Sequence, residues 1–124
     1  MKKVLIGLAL VLVSFALFIL PAFAWTDCDQ YTARSSIWPD QFWTTSIACG
    51  NSNGNYFTDW YQAAPHGAGS VGWPPTFFCA YSHTYYHFPL DHPVVVQTRS
   101  EGVVTDKFGE FVEDFDATAT IYAT

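Results

Sequence analysis

Residues 117–124 read Ala-Thr-Ala-Thr-Ile-Tyr-Ala-Thr, so small or apolar side chains alternate with threonine and tyrosine. A period of two places these two sets on opposite faces of an extended strand. The same period recurs in two earlier runs: Trp43, Thr45, Ile47 and Cys49 share one face, and Val94, Val96 and Thr98 form an inner face with Gln97 and Arg99 outward. Short alternating runs of this kind are typical of a β-sandwich or a small barrel.

Turn-forming residues separate these runs along the whole chain. Examples are Pro39-Asp40, residues 50–55, residues 65–69, Trp73-Pro74-Pro75 and residues 89–93. Such clusters of Gly, Pro, Asn and Asp favour tight turns between strands. We therefore predict an all-β fold, a small antiparallel β-sandwich of about seven strands that forms one domain over residues 25–124.

One stretch near the end of the chain carries a second possible period. Phe108, Phe111, Val112 and Phe115 have the i, i+3, i+4, i+7 spacing of an amphipathic helix. Gly109 lies in what would be its first turn and weakens a helix. A short helix and a strand that begins after a tight turn both fit this stretch.

Residues 1–24 have the three parts of a secretory signal peptide. Lys2 and Lys3 precede a largely apolar run, Pro21 follows it, and Ala22-Phe23-Ala24 offers small residues at a cleavage site. We predict a cleavable signal-peptide helix; an uncleaved membrane anchor is the alternative, because the apolar run approaches the length that spans a bilayer. The protein is thus expected to be secreted and extracellular, with the periplasm or the cell surface as further destinations.

The composition of residues 25–124 supports the β prediction and narrows the range of partners. Their three basic residues, Arg34, Arg99 and Lys107, stand against eleven acidic ones, which gives a formal net charge of −8. This acidity disfavours nucleic acid and anionic lipid as partners, so no membrane contact is expected after signal cleavage. The region holds five Trp, seven Tyr and eight Phe but a single Leu, and aromatic residues favour strands.

Residues 105–111, Thr-Asp-Lys-Phe-Gly-Glu-Phe, carry a family resemblance. This segment resembles the Thr-Asp-x-x-Gly-x-Phe hairpin of carboxypeptidase-regulatory-like and related immunoglobulin-like bacterial sandwiches. In such a turn the Asp caps the backbone, the Gly takes the left-handed conformation and the Phe returns to the core. The resemblance implies a non-enzymatic sandwich used as a spacer, an adhesive or a structural module.

Three cysteines, Cys28, Cys49 and Cys79, follow the signal peptide and would enter an oxidising compartment. Three cysteines allow three single bridges, each of which leaves one thiol unpaired. Cys49 and Cys79 both lie on alternating apolar runs, so we predict a bridge between them. Cys28 would then be free or bonded to a second chain.

Histidines and carboxylates supply candidate metal ligands. His83 and His87 lie four residues apart on a candidate strand, and His92 follows in the next loop, which offers a possible zinc site. A further six acidic residues gather late in the chain and could suit calcium: Glu101, Asp106, Glu110, Glu113, Asp114 and Asp116. Hydrogen-bonded histidines and a solvated acidic face are the simpler interpretations, so no resident cofactor is predicted.

The aromatic residues exceed what a core of this size needs, so several are expected at the surface. Exposed Trp and Tyr side chains stack on sugar rings and anchor protein interfaces. The candidates lie beside predicted loops: Trp60, Tyr61, Trp73, Tyr85 and Tyr86.

Three functions compete on these observations. The first is a non-enzymatic structural or adhesive module, such as a subunit of an extracellular fibre, sheath or surface layer. It would bind other copies of itself or an extracellular polymer, and its final strand would be available for pairing. The second is a carbohydrate-binding module with an aromatic platform. The third is a secreted metal-binding protein or enzyme built around Cys79, His83 and His87.

Overall fold

The computed structural model describes residues 25–124, and the predicted signal peptide lies outside the described residues. Seven strands form two antiparallel sheets, which confirms the all-β prediction. Their bounds are β1 Asp27–Arg34, β2 Trp43–Ser52, β3 Phe57–Ala63, β4 Ser70–Val71, β5 Phe77–Phe88, β6 Val95–Asp106 and β7 Phe111–Tyr122. Within residues 25–124 no helix is long and apolar enough to cross a bilayer.

The two sheets follow the chain in simple order. The first sheet has the order β1-β2-β3 and the second has the order β4-β5-β6-β7. β2 lies over β6 and β7, where the Ser46 hydroxyl contacts the Ser100 hydroxyl at 2.8 Å and donates to the Ala117 carbonyl at 2.8 Å. These buried hydrogen bonds fix the register of one sheet on the other.

Two hydrophobic clusters fill the space between the sheets. One contains Phe57, Val96 and Ile121, and the other contains Phe42 and Phe115 among its members. Val96 and Thr98 are fully buried, which confirms the predicted inner face of that strand. Val94 was expected on the same face, but it precedes β6 and is exposed.

The central strand of the smaller sheet turns its smallest residues toward the core. Thr44, Ser46 and Ala48 are buried and face the second sheet. The predicted shared face of Trp43, Thr45, Ile47 and Cys49 is therefore the face that points away from that sheet. Small side chains at the contact allow the two sheets to approach closely.

The stretch that fits two periods is a strand, since β7 begins at Phe111. The turn before it has the expected chemistry: Asp106 Oδ1 accepts from the N–H of Phe108 at 2.8 Å and of Glu110 at 2.9 Å, and Gly109 has φ 79°. Phe111 does not return to the core as predicted, because it is 65% exposed. A register shift at Val104/Thr105 separates it from the inward face, and Phe115 is buried instead.

The disulfide differs from the predicted bridge. Cys28 and Cys49 are direct register partners on β1 and β2 and are bonded to each other, with Cα atoms 4.1 Å apart. Cys79 is the free, buried thiol. The prediction of a Cys49–Cys79 bridge is wrong because Cys79 faces the core from the other sheet, whereas Cys49 points away from that sheet.

Candidate interaction surfaces

Within residues 25–124, the outer edge of β5 is unpaired over most of its length. β4 contributes only two residues, which pair with Phe77 and Phe78, and the N–H of Cys79 donates to Gly69 O at 3.0 Å. From Ala80 to Phe88 no described strand lies on this side. We call residues Ala80–Phe88 the β5 edge.

The backbone groups at this edge follow from the alternation of an antiparallel ladder. Because the N–H of Cys79 points away from β6, those of Tyr81, His83, Tyr85 and His87 point the same way, as do their carbonyls. Pro89 follows directly and has no N–H to donate. The β5 edge therefore offers four backbone donors and four acceptors that no strand among residues 25–124 satisfies.

Charge distinguishes this edge from the other long edges of the sandwich. β5 contains no Asp, Glu, Lys or Arg. The other long edge strands all carry acidic residues, namely Asp27 and Asp29 on β1, Asp59 on β3, and Asp114 and Asp116 on β7. Charged side chains on an edge oppose its pairing with a second chain, so β5 lacks the usual protection.

The final strand, predicted to be available for pairing, is partly closed instead. Asp29 on β1 accepts a hydrogen bond from the N–H of Thr120 at 2.9 Å. Near the start of β7, Glu113 accepts hydrogen bonds from the Ser35 and Ser36 hydroxyls and from the Ser36 N–H. Burial of this carboxyl raises its pKa, but the hydrogen bonds outweigh burial and lower the pKa overall.

An imidazole and phenol row lines the inward side of β5. His66 stacks on Tyr81 with centroids 4.1 Å apart, and the rings of His83 and Tyr85 are 4.7 Å apart. The Tyr81 hydroxyl donates to Ala68 O at 2.7 Å. Burial, followed by the hydrogen bond with Cys79, raises the pKa of Tyr81, so this phenol stays neutral.

The structure does not gather the predicted zinc ligands. His83 and His87 face the same way but are four residues apart, about 13 Å along a strand. His87 instead meets Trp60, with centroids 4.9 Å apart, and His92 packs edge-on against Tyr56 at 4.5 Å. Among residues 25–124 no group of three His, Cys, Asp or Glu side chains is placed to hold a metal ion, which also applies to the predicted calcium ligands.

The five predicted stacking residues do not form one platform. Trp60 is half-buried against the core and Tyr85 lies on the inward side of β5. Tyr61 lies beside Trp25, with centroids 6.2 Å apart, on the outer face of the smaller sheet. Tyr86 is on the outer face of the larger sheet next to Phe88, with centroids 6.4 Å apart and ring planes within 9°.

A shallow cavity of about 510 Å³ lies on that outer face, one residue row from Tyr86. Its side chains include Thr84, Arg99, Glu101, Asp116 and Thr118. Glu101 and Asp116 are direct cross-strand partners of like charge, and neither has an ion pair among the described residues. The cavity therefore presents hydroxyl, carboxylate and guanidinium groups to solvent.

One end of the sandwich displays large aromatic residues on three loops. The loops are the β1–β2 connection, the β4–β5 turn and the β6–β7 hairpin, and we call them the loop end. Four aromatic side chains at this end are between 65% and 95% exposed: Trp38, Trp73 and Phe108 on the loops, and Phe111 at the start of β7. Contiguous apolar patches on a protein surface mark sites of contact with other molecules.

The structure separates the side chains of the site that the sequence suggested around Cys79, and it pairs Cys28, which was expected to be free or bonded to a second chain. Cys28 is bonded to Cys49, and burial raises the pKa of the Cys79 thiol. His83 lies four residues from Cys79 on the same strand, beyond hydrogen-bond reach.

Comparisons of the chain with protein-family models, with curated proteins and with solved structures gave no match.

Sequence reasoning missed the β5 edge, although a signal for it was present. Residues 60–90 contain no Asp, Glu, Lys or Arg, the longest such interval after the signal peptide. Within that interval, Phe77–Phe88 is the only long run without Gly or Pro. An uncharged strand in an acidic chain was the available clue that one edge is left unprotected.

Proposed function

We propose that the protein is a secreted, non-enzymatic structural or adhesive module that works as a subunit of an extracellular assembly. The single observation that carries this proposal is the β5 edge, which pairs with no other strand of residues 25–124 and is free of charged residues. Exposed edges of this kind add strands from another chain, since the backbone supplies the affinity. The hairpin resemblance to immunoglobulin-like bacterial sandwiches supports the same class of function.

The loop end supports an adhesive role for the same module. Its exposed Trp and Phe side chains lie on three loops and at the first residue of β7. Aromatic anchors on a rigid scaffold stabilise interfaces at a low cost in side-chain entropy. This end gives the subunit a second surface for a neighbour in the assembly.

The first test compares two threonines on the outer face of the larger sheet. Thr84 on β5 and Thr118 on β7 flank the same residue, Arg99, in one cross-strand row. A carboxylate at either position meets the same arginine, so Thr84→Glu and Thr118→Glu are matched for fold stability. We expect sedimentation velocity on residues 25–124 to show concentration-dependent association that Thr84→Glu abolishes and Thr118→Glu preserves.

Two results would contradict the proposal. The first is an unmodified protein that sediments as a monomer up to millimolar concentration. The second is equal loss of association in both variants, because that would place the contact elsewhere on the sandwich.

Carbohydrate binding is a second candidate, favoured by the cavity on the outer face of the larger sheet. Sugars are bound through bidentate hydrogen bonds to carboxylates and guanidinium groups together with stacking on an aromatic ring. The hydrogen-bonding groups would be those of Arg99, Glu101 and Asp116, and the stacking ring would be that of Tyr86. The lining holds more acidic than basic groups, so this candidate binds neutral or amino sugars rather than uronic acids.

Tryptophan and tyrosine fluorescence during titration with soluble glycans tests this second candidate. Tyr86→Ala and Arg99→Ala should each weaken binding at least about tenfold. Tyr61→Ala, which lies on the other sheet, is the matched aromatic control. No saturable change with neutral, amino or acidic glycans would rule the candidate out.

A further inference from the structure

The free backbone groups of β5 specify both a partner and a register. We propose that the β5 edge pairs with the β5 edge of a second copy, antiparallel, around a two-fold axis at Thr84. This inference rests on the proposed assembly function and identifies its partner.

The register follows from which backbone groups are free. Pairing requires Tyr81, His83, Tyr85 and His87 to face one another across the axis. A two-fold at Thr84 matches Tyr81 with His87 and His83 with Tyr85, which gives about eight backbone hydrogen bonds. An axis at His83 or at Tyr85 gives about six, because Gly69 already occupies Cys79 on one side and Pro89 has no N–H on the other.

The side chains are compatible with this register on both faces. On the inward face each imidazole of one copy meets a phenol of the other, as His83 and Tyr85 already do within one chain at 4.7 Å. On the outward face Thr84 meets its own copy, and Ser82 meets Tyr86. Cross-strand Thr–Thr pairs are favourable, and no like charges are brought together.

Charge also argues for a second copy as the partner. Two copies of residues 25–124, each with a formal charge of −8, repel one another over most of their surfaces. The uncharged β5 is the long edge where this repulsion is weakest. A two-fold contact satisfies both edges at once and joins two four-stranded sheets into one continuous sheet.

In such a pair, the position of the two loop ends bears on adhesion. Antiparallel β5 strands point the two loop ends in opposite directions. The pair is then bivalent, with one aromatic end at each extremity. Two contacts on one particle strengthen attachment to a repeated target well beyond a single contact.

Cysteine cross-linking measures this register directly. In a Cys79→Ala background, Thr84→Cys places two thiols opposite each other at the axis, within disulfide reach. Ser82→Cys or Tyr86→Cys alone leaves the thiols about 13 Å apart along the strand, beyond that reach. We expect mild oxidation to give a disulfide-linked pair with Thr84→Cys, none with either single control, and a mixed pair when the two controls are combined.

The outcomes separate this inference from the proposed function. If the protein associates but Thr84→Cys stays uncross-linked, or Ser82→Cys links to itself, the register is wrong while strand-mediated assembly stands. If the unmodified protein stays monomeric in sedimentation and no variant cross-links, both proposals fail. Mass spectrometry of the linked peptide distinguishes these results from exchange with the Cys28–Cys49 disulfide.

Discussion

β5 and β7 are both twelve-residue strands that pair with β6, yet their outer edges differ in charge and in what lies beside them. β7 carries acidic residues, and Asp29 from β1 accepts the Thr120 N–H at 2.9 Å. β5 carries no charged residue, and beyond Phe78 no strand of residues 25–124 pairs with its outer side. Acidic residues and the contact with Asp29 thus protect the edge of β7, whereas the β5 edge has no such protection among residues 25–124.

The largest effect is expected from removal of the disulfide that holds β1 in place. Cys28→Ala with Cys49→Ala should lower the free energy of unfolding by about 3 kcal/mol, because the closed loop no longer restricts the unfolded chain. β1 also carries Asp29, so its fraying would open the edge of β7. Urea unfolding followed by tryptophan fluorescence measures the first effect.

The control for this variant is Cys79→Ala, which keeps the Cys28–Cys49 bond. If the double variant were as stable as the unmodified protein, β1 would not depend on the disulfide. Side-chain contacts alone would then shield the edge of β7.

Proline on each edge gives the next effect and tests the comparison most simply. The N–H of His83 points away from β6, so His83→Pro removes a donor that the fold itself does not use. We expect association to weaken about 100-fold, since each copy loses a backbone hydrogen bond and gains a ring at the contact. Sedimentation equilibrium gives the dissociation constants.

Thr118→Pro is the matched variant on β7. The N–H of Thr120 points outward to Asp29, and by alternation the N–H of Thr118 points outward as well. We expect this variant to associate like the unmodified protein. Weakening by the same factor in both variants would contradict the assignment of the contact to β5.

A smaller loss of folding stability is expected from a substitution in β6 that disturbs the packing of Phe115, a buried residue of β7. A Cβ on Gly102 would overlap the ring of Phe115, so Gly102→Ala should cost about 2 kcal/mol of folding stability through overpacking. Gly69→Ala is the control, because nothing lies within 4 Å of its added Cβ. Thermal unfolding that leaves both variants alike would mean that Phe115 is loosely packed.

The smallest effect concerns pH and the loop that Glu113 anchors beside β7. Its pKa is lowered in the folded protein, so its stabilisation is present above the ordinary value of 4.5 and is lost as the pH falls through the folded pKa. Glu113→Gln should cost about 1 kcal/mol at pH 7 and progressively less in acid. Identical losses at pH 7 and pH 3 would show that the charge of this carboxylate does not matter.

Sequence patterns predicted the strands well because alternation reports directly on burial. Val96 and Thr98 form the buried face of β6, and Ala117, Ala119 and Ile121 form that of β7, as their alternation predicts. The same patterns did not predict the disulfide, because Cys49 and Cys79 both lie on alternating runs but belong to different sheets. Phe111 misled for a related reason, because a register shift is not visible in a period of two.

The candidate site was harder to predict because an edge is a property of topology. The sequence identified Tyr85, Tyr86, His83 and His87 as notable, and all four lie on β5. It could not say that β4 would end at Val71 and leave these residues beside an open edge. The zinc site was predicted from the spacing of His83 and His87 alone. Side chains four residues apart on a strand face the same way but lie about 13 Å apart, too far to share a metal ion.

Residue-level amide hydrogen exchange distinguishes a paired β5 edge from an open one. The amides of Ser82, Thr84 and Tyr86 point toward β6 and should be protected at every protein concentration. Those of His83 and Tyr85 face outward, and we predict that they exchange rapidly in dilute protein and slowly in concentrated protein. Exchange of His83 and Tyr85 at a rate independent of concentration would contradict pairing of the β5 edge.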